Sequence, residues 1–250
     1  MTIIPRYLLR ITSILLVMLL CIKPVIAQDK ITPTIQADIV SQYISRGIND
    51  GDFSLQPSLG LSYKGLSLLA WGNCGISNFK DTKELDITLS YTRWNITIGV
   101  TDNWVDNVDT FDDDGNPIER KTKYFDYNDK AGHVYECFLG YDLGFLSATW
   151  YTNFAGDDGR TGRGKRAYSS YVELNSPFKA FTCDWTATLG FQPYGTSYYE
   201  VSGFAISNIA IKAQKSIQIS KSFDIPLYAS LIANPSHQTL FFVVGLTLEP

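Results

Sequence analysis

Residues 84–93, ELDITLSYTR, alternate without a break: Leu85, Ile87, Leu89 and Tyr91 fall on one face of an extended chain, Asp86, Thr88, Ser90 and Thr92 on the other. Side chains of a strand point to opposite faces in turn, so this period of two predicts a half-buried β-strand. The next segment, NITIGVT, repeats the pattern, with Ile96, Ile98 and Val100 against Asn95, Thr97 and Gly99. Two such runs joined by little more than Trp94 form an antiparallel hairpin.

The same reading extends in both directions. Ser54–Tyr63 and Leu66–Ser77 meet at Lys64-Gly65, and Gly132–Asp142 and Phe145–Phe154 meet at Leu143-Gly144. Ala167–Ser176 passes through Pro177 and Phe178 to Phe181–Phe191, and Phe204–Ser220 turns into Ile225–Ala233. With Thr32–Arg46 first and Thr239–Leu248 last, about twelve strands are expected, within a range of roughly ten to fourteen because strand boundaries are read only to a few residues.

Loop length sorts by parity. Connections after even-numbered strands are short, whereas those after odd-numbered strands are mostly longer and more polar: 47–53, 78–83, 106–131, 155–166, 192–203 and 234–238. Short turns on one rim and long loops on the other are the habit of up-and-down outer-membrane barrels. The polar faces carry Ser, Thr, Asn, Gln and Gly in place of the Lys and Glu that cover soluble surfaces. Rings gather near strand ends, Tyr63, Tyr91, Trp94, Tyr141 and Phe145 by the short turns and Tyr43, Trp104, Phe154 and Tyr168 by the long loops, as in two interfacial girdles. The expectation is therefore an all-β, antiparallel, transmembrane up-and-down barrel forming one domain over residues 28–250. Three residues fit it badly: Phe241 and Val243 take the inward parity of the last strand, and Lys215 takes an outward parity tolerable only near the periplasmic interface or beyond a bulge.

The first 27 residues read as a cleaved secretory signal. Arg6 and Arg10 precede an apolar core, Ile11–Ile22, too short to span a bilayer, and Val25-Ile26-Ala27 offers cleavage before Gln28. The rival reading, a lipoprotein signal at Cys21, would need a small residue where Leu20 stands. Of the 21 Lys and Arg the leader holds Arg6, Arg10 and Lys23, while all 25 Asp and Glu lie beyond it. An acidic mature chain argues against nucleic acid as a partner. Cys74, Cys137 and Cys183 are odd in number and irregularly spaced, which suits neither a disulfide framework nor a zinc site.

Residues 37–47, ADIVSQYISRG, followed by LQPSLGLSYKGLSLLAWGN, resemble the start of the TorF-type porins of the Gram-negative envelope, through Ser41, Tyr43, Arg46 and Gly47 and then Gly65 and Trp71. The likeness covers about the first fifth of the mature chain. It implies an outer-membrane barrel with a channel role, with no catalytic residues to transfer. Where outer-membrane barrels commonly close on an aromatic residue, this sequence finishes Leu248-Glu249-Pro250.

Motifs for other chemistry fail on context. Gly159–Arg166, GRTGRGKR, places Arg166 where a phosphate loop needs Ser or Thr, and a strand follows instead of a helix. The acidic stretch 112–116, DDDGN, put into an EF-hand frame would leave Thr110 first and Lys121 twelfth, so only a looser calcium or lipopolysaccharide-bridging role stays open. His133 and His237 are the only imidazoles, and neither stands in the His-x-Ser arrangement of outer-membrane phospholipases. No cofactor, metal or enzymatic activity is expected.

What remains is a set of ionisable residues on inward parity: Asp38, Arg46, Asp86, Glu136, Glu173, Asp184 and Lys212. A charge facing lipid at mid-depth costs ~2–4 kcal/mol for a cation, so such residues belong in the lumen. They either line a narrow passage for small hydrophilic solutes or pair with one another and close the barrel as a structural or surface-interaction protein. A membrane-embedded hydrolase is a distant third reading. Arg46, placed near the extracellular mouth, has Glu136 and Glu173 as candidate partners. The expected surroundings are outer-membrane lipid and lipopolysaccharide, reached through the barrel-assembly machinery.

Overall fold

Ten residues of strand at roughly 3.3 Å each are enough to cross the apolar layer of a membrane at a tilt, and most strands of this chain are of that length. The computed structural model describes residues 30–77, 83–111, 117–128, 131–161, 164–220 and 223–249. The leader, its cleavage site, Cys21 and the acidic stretch 112–116 lie outside them.

Twelve strands close into an antiparallel barrel: β1 (Thr32–Val40), β4 (Ser54–Tyr63), β5 (Leu66–Gly75), β6 (Glu84–Arg93), β7 (Ile96–Val105), β10 (His133–Asp142), β11 (Ser147–Gly156), β12 (Ser170–Ala180), β13 (Cys183–Gln192), β14 (Ala205–Ser220), β15 (Phe223–Asn234) and β16 (Thr239–Leu248). Each pairs with its neighbour in the chain, and β1 closes the ring by pairing with β16 on one side and β4 on the other. Two hairpins stand outside the wall: β2 (Tyr43–Ser45) with β3 (Ile48–Gly51), and β8 (Asn107–Phe111) with β9 (Pro117–Lys121).

The short turns share one rim. Lys64 and Gly65, at φ 50° and 88°, and Trp94 and Asn95, at φ 51° and 67°, both have the two left-handed residues of a type I′ turn, the form whose twist matches paired strands. A third such pair sits at Phe181 and Thr182, φ 51° and 62°, four residues later than the Pro177-Phe178 passage of the sequence reading. The reason is Pro177. It stays in β12, opposite Thr186, because β12 pairs with β11 only as far as Asn175, so the N–H that proline lacks has no partner to lose.

The polarity of the wall is inverted relative to a soluble barrel. Along β4, Ser54, Gln56 and Ser58 are buried inside, whereas Leu55, Leu59 and Leu61 are exposed outside, Leu59 by 64%. On β6 and β7, Leu89, Tyr91, Ile96, Ile98 and Val100 are likewise exposed. Among the described residues the buried side chains are mostly polar, and the buried apolar ones are Val40, Ala131, Val134, Tyr171, Tyr199 and Val243. Lys215, on outward parity, lies close to the short-turn rim, where its Nζ donates to Thr182 Oγ1 at 3.3 Å.

The first wall strand is shorter than the sequence reading made it. Thr32–Arg46 was expected to run as one strand, yet β1 leaves the wall after Val40. Ser41 adds a last tie to β16 through its N–H to Val244 O, 2.9 Å, and then the chain turns into the barrel. This turn accounts for Phe241 and Val243. The hairpin β2–β3 runs from β1 to contacts on β15 and β14, with β16 between them in the ring, and on the inner face of β16 Val243 is buried while Phe241 keeps partial exposure.

Candidate functional site

The inserted hairpin is built on the same chemistry as the rim turns. Arg46 and Gly47, at φ 52° and 84°, form its tip. Gly47 is required twice over: its φ suits no β-carbon, and a β-carbon there would stand 1.8 Å from the backbone oxygen of Ser207. The tip is pinned to the wall by its own carbonyls. Ser207 Oγ donates to Arg46 O at 3.1 Å, and Asn234 Nδ2 donates to Gly47 O at 3.0 Å. Those two residues sit on β14 and β15 and are almost wholly buried.

From the tip, the Arg46 side chain crosses to β10. Its Nη1 donates to Glu136 Oε2 at 2.7 Å and its Nη2 to Glu136 Oε1 at 2.8 Å, a forked contact. Nη1 also donates to the Tyr199 hydroxyl. The guanidinium lies against three rings, 4.6 Å from the centroid of Tyr151, 5.0 Å from Tyr171 and 5.9 Å from Tyr199. Planar stacking and a two-pronged carboxylate are contacts that arginine makes and lysine cannot reproduce. Tyr199 belongs to the loop 193–204, so a second connection also folds into the lumen.

The base of the hairpin is tied to the other side of the barrel. Tyr43 OH donates to Glu84 Oε2 on β6 at 2.8 Å, and its ring packs 5.5 Å from Trp71 on β5. The hairpin thus touches β5, β6, β10, β11, β12, β14 and β15. In the long-loop half the inward polar residues are closed over: Ser54, Asn153, Ser170, Gln192 and Asn234 are all buried. In the short-turn half, Ser62, Ser67, Thr92, Thr97 and Thr149 on the same inner face keep partial exposure. The inner face is closed over toward the long loops and keeps partial exposure toward the short turns.

A cavity of about 550 Å³ remains beside the hairpin, bordered by Tyr43, Arg46, Asp50, Glu84, Asp86 and Glu136 among others. It gathers carboxylates around one guanidinium. Asp50, on the hairpin itself, is pushed up to about 7, first by enclosure among protein atoms and then by the charge of Glu84, with Arg46 opposing. Asp50 is nonetheless exposed by surface area, which softens that penalty.

The seven residues nominated from sequence separate into groups. Asp86, Glu136 and Arg46 border this cavity. Glu173 lies just below, accepting from Tyr171 OH and from Asn175 Nδ2, both at 2.9 Å. Asp38 and Lys212 face inward on another arc, Asp38 accepting from Thr247 Oγ1 at 2.6 Å and Lys212 placing Nζ 4.1 Å from the Tyr228 ring centroid. Asp184 departs from the set. It is exposed at the short-turn rim, where its Oδ1 meets Lys179 Nζ at 2.8 Å, because β13 begins only one residue before it. Arg46 departs in manner: it comes from a hairpin tip inside the barrel, not from the end of a wall strand.

Sequence reading gave Tyr43 to an aromatic girdle, whereas it lies in the lumen, named Gly47 only for the family resemblance, and missed Tyr151, Tyr171, Tyr199, Ser207 and Asn234. The signal for the hairpin was present, since Arg46-Gly47 has the same residue-glycine form as Lys64-Gly65, with Ile44 and Ile48 flanking it. At the ends of the stretch GRTGRGKR, Arg160 and Arg166 pair across an isolated antiparallel bridge. Asn234 Oδ1 accepts from Ser236 Oγ at 2.7 Å and from the His237 N–H at 3.1 Å, which ties that loop to the end of β15.

No protein-family model matches the chain, and no curated protein matches it.

Proposed function

We propose that this chain is a bacterial outer-membrane β-barrel whose lumen is closed at its extracellular half by the β2–β3 hairpin, so that it does not conduct as an open porin in this conformation. The observation that carries the reading is the Arg46–Glu136 fork, made across the lumen from an inserted tip to the opposite wall. Supporting the membrane setting are the apolar exterior and the rings near both rims: Tyr63, Tyr91, Trp94, Phe145 and Phe181 beside the short turns, Phe154, Tyr168 and Phe204 toward the long loops. In water so much contiguous exposed apolar surface would drive association. The likeness of residues 37–47 to the TorF-type porins agrees with this setting.

A second reading, a narrow channel for small hydrophilic solutes that this hairpin gates, draws on the partly exposed inner face of the short-turn half and the cavity of about 550 Å³ beside the hairpin. Liposome swelling separates the two. Vesicles containing the purified protein stay tight to small sugars if the barrel is closed. They swell if the hairpin leaves its seat spontaneously.

A further inference from the structure

His133 opens β10 on the outward face and is 3% exposed. Its Nδ1 lies 2.7 Å from Asp102 Oδ1 on β7, and its Nε2 lies 2.9 Å from the backbone oxygen of Tyr124. A carbonyl only accepts, so Nε2 must carry a hydrogen. An ionised carboxylate also only accepts, so the Nδ1–Asp102 contact needs a proton as well, whichever of the two atoms holds it. The pair therefore contains one proton more than a neutral imidazole beside a carboxylate. Four rings enclose the imidazole: Tyr127, stacked at 4.8 Å, Tyr124 at 5.5 Å, Tyr135, stacked at 6.0 Å, and Trp104 at 6.5 Å. Such a cage favours a cation. Asp102 itself faces outward, toward the apolar side of the wall, where an unneutralised carboxylate is costly.

Tyr124 and Tyr127 belong to the connection between β9 and β10, and what they cover is the outer wall at the long-loop rim. We infer that His133 and Asp102 form a proton-dependent clamp that holds residues 122–128 against the outside of the barrel and releases them when the shared proton is lost. Loss of that proton brings two lone pairs together at 2.7 Å, and either neutral tautomer leaves one acceptor facing another. Asp102 is the charged group facing the imidazole from β7. The phenols of Tyr124, Tyr127 and Tyr135 face it from the loop and from β10. Thr122 N donates to Asp106 O at 3.0 Å, so release is confined to the segment beyond that tie.

The test uses the full folded barrel in lipid nanodiscs, with Cys74, Cys137 and Cys183 replaced by alanine and a nitroxide placed at Lys123→Cys. The expected spectrum is immobile at about pH 5 and predominantly mobile at about pH 9. His133→Gln should give one mobility at both pH values. Asp102→Asn is the sharper variant: its amide donates to a neutral Nδ1 while Nε2–H still serves Tyr124, so the segment should stay immobile at both. A label whose mobility in the parent ignores pH overturns the clamp. So does a pH response that survives Asp102→Asn. Should His133→Gln not fold, the Asn variant decides alone.

Discussion

Arg46 and Glu136 are 90 residues apart in sequence and meet through two parallel hydrogen bonds of 2.7 and 2.8 Å inside the barrel. The side chain of Glu136 is 5% exposed and that of Arg46 22%. Removing one member of such a pair strands a charge, at a cost of roughly 3–5 kcal/mol when both are buried, and the residual exposure of Arg46 argues for about 3. Arg46→Ala should therefore lower the thermal stability of the purified barrel clearly. Glu136→Gln, which keeps one acceptor, should lower it less. Replacing both by methionine should recover most of the loss. Thermal melts followed by circular dichroism check the series, and an unchanged melting temperature in Arg46→Ala would make the fork incidental.

Gly47 gives a test without altering charge. Alanine there combines an unfavourable φ of 84° with a β-carbon 1.8 Å from Ser207 O, so the tip must lift from β14. The wall hydrogen bonds are untouched. The barrel should still form, as judged by heat-modifiable migration on gels, but Arg46 and Tyr43 should become open to proteolysis and labelling. Full protection of the hairpin in Gly47→Ala would show that its seat is not set by this contact.

Asp50 predicts a pH dependence of definite sign. Its carboxyl is held at about 7 in the folded chain, well above its unfolded value. The folded state therefore binds a proton that the unfolded state has released, and the stability this contributes is lost as pH rises from about 4 through 7. Asp50→Asn should remove that slope and make the protein relatively more stable above pH 7 than the parent. Equal pH profiles for parent and variant from denaturant unfolding in this range would contradict the placement of Asp50.

Topology is checked by accessibility on cells. An epitope at Gly203, in a long connection, should be reached on intact cells, whereas one at Lys64-Gly65 should be reached only once the outer membrane is opened. Equal labelling of both would defeat the assignment of the two rims.

The sequence revealed the wall because the wall obeys one local rule. Alternation along β4, β6 and β7 and the parity of loop lengths locate most of the twelve strands. What alternation cannot reveal is a segment that alternates without joining the wall. Tyr43–Gly51 continues the period of β1 in sequence, and only its contacts with Ser207 and Asn234, more than 150 residues later, turn it inward. Glu136 was among the partners nominated for Arg46 because its strand begins at the same rim. The tyrosines around Arg46 were invisible for the opposite reason: Tyr151, Tyr171 and Tyr199 come from three distant elements, and aromatic residues on this chain had a ready explanation as girdle residues. Asp184 misled because parity says which face a residue takes and nothing about its depth.

Conductance across a planar lipid bilayer tests closure by the hairpin most directly. The intact barrel should insert and stay closed at moderate voltage, while a variant in which a short Gly-Ser turn replaces residues 42–51 should show stable steps of current. A steady open current from the intact barrel, undiminished and unaltered by removal of the hairpin, would contradict the account.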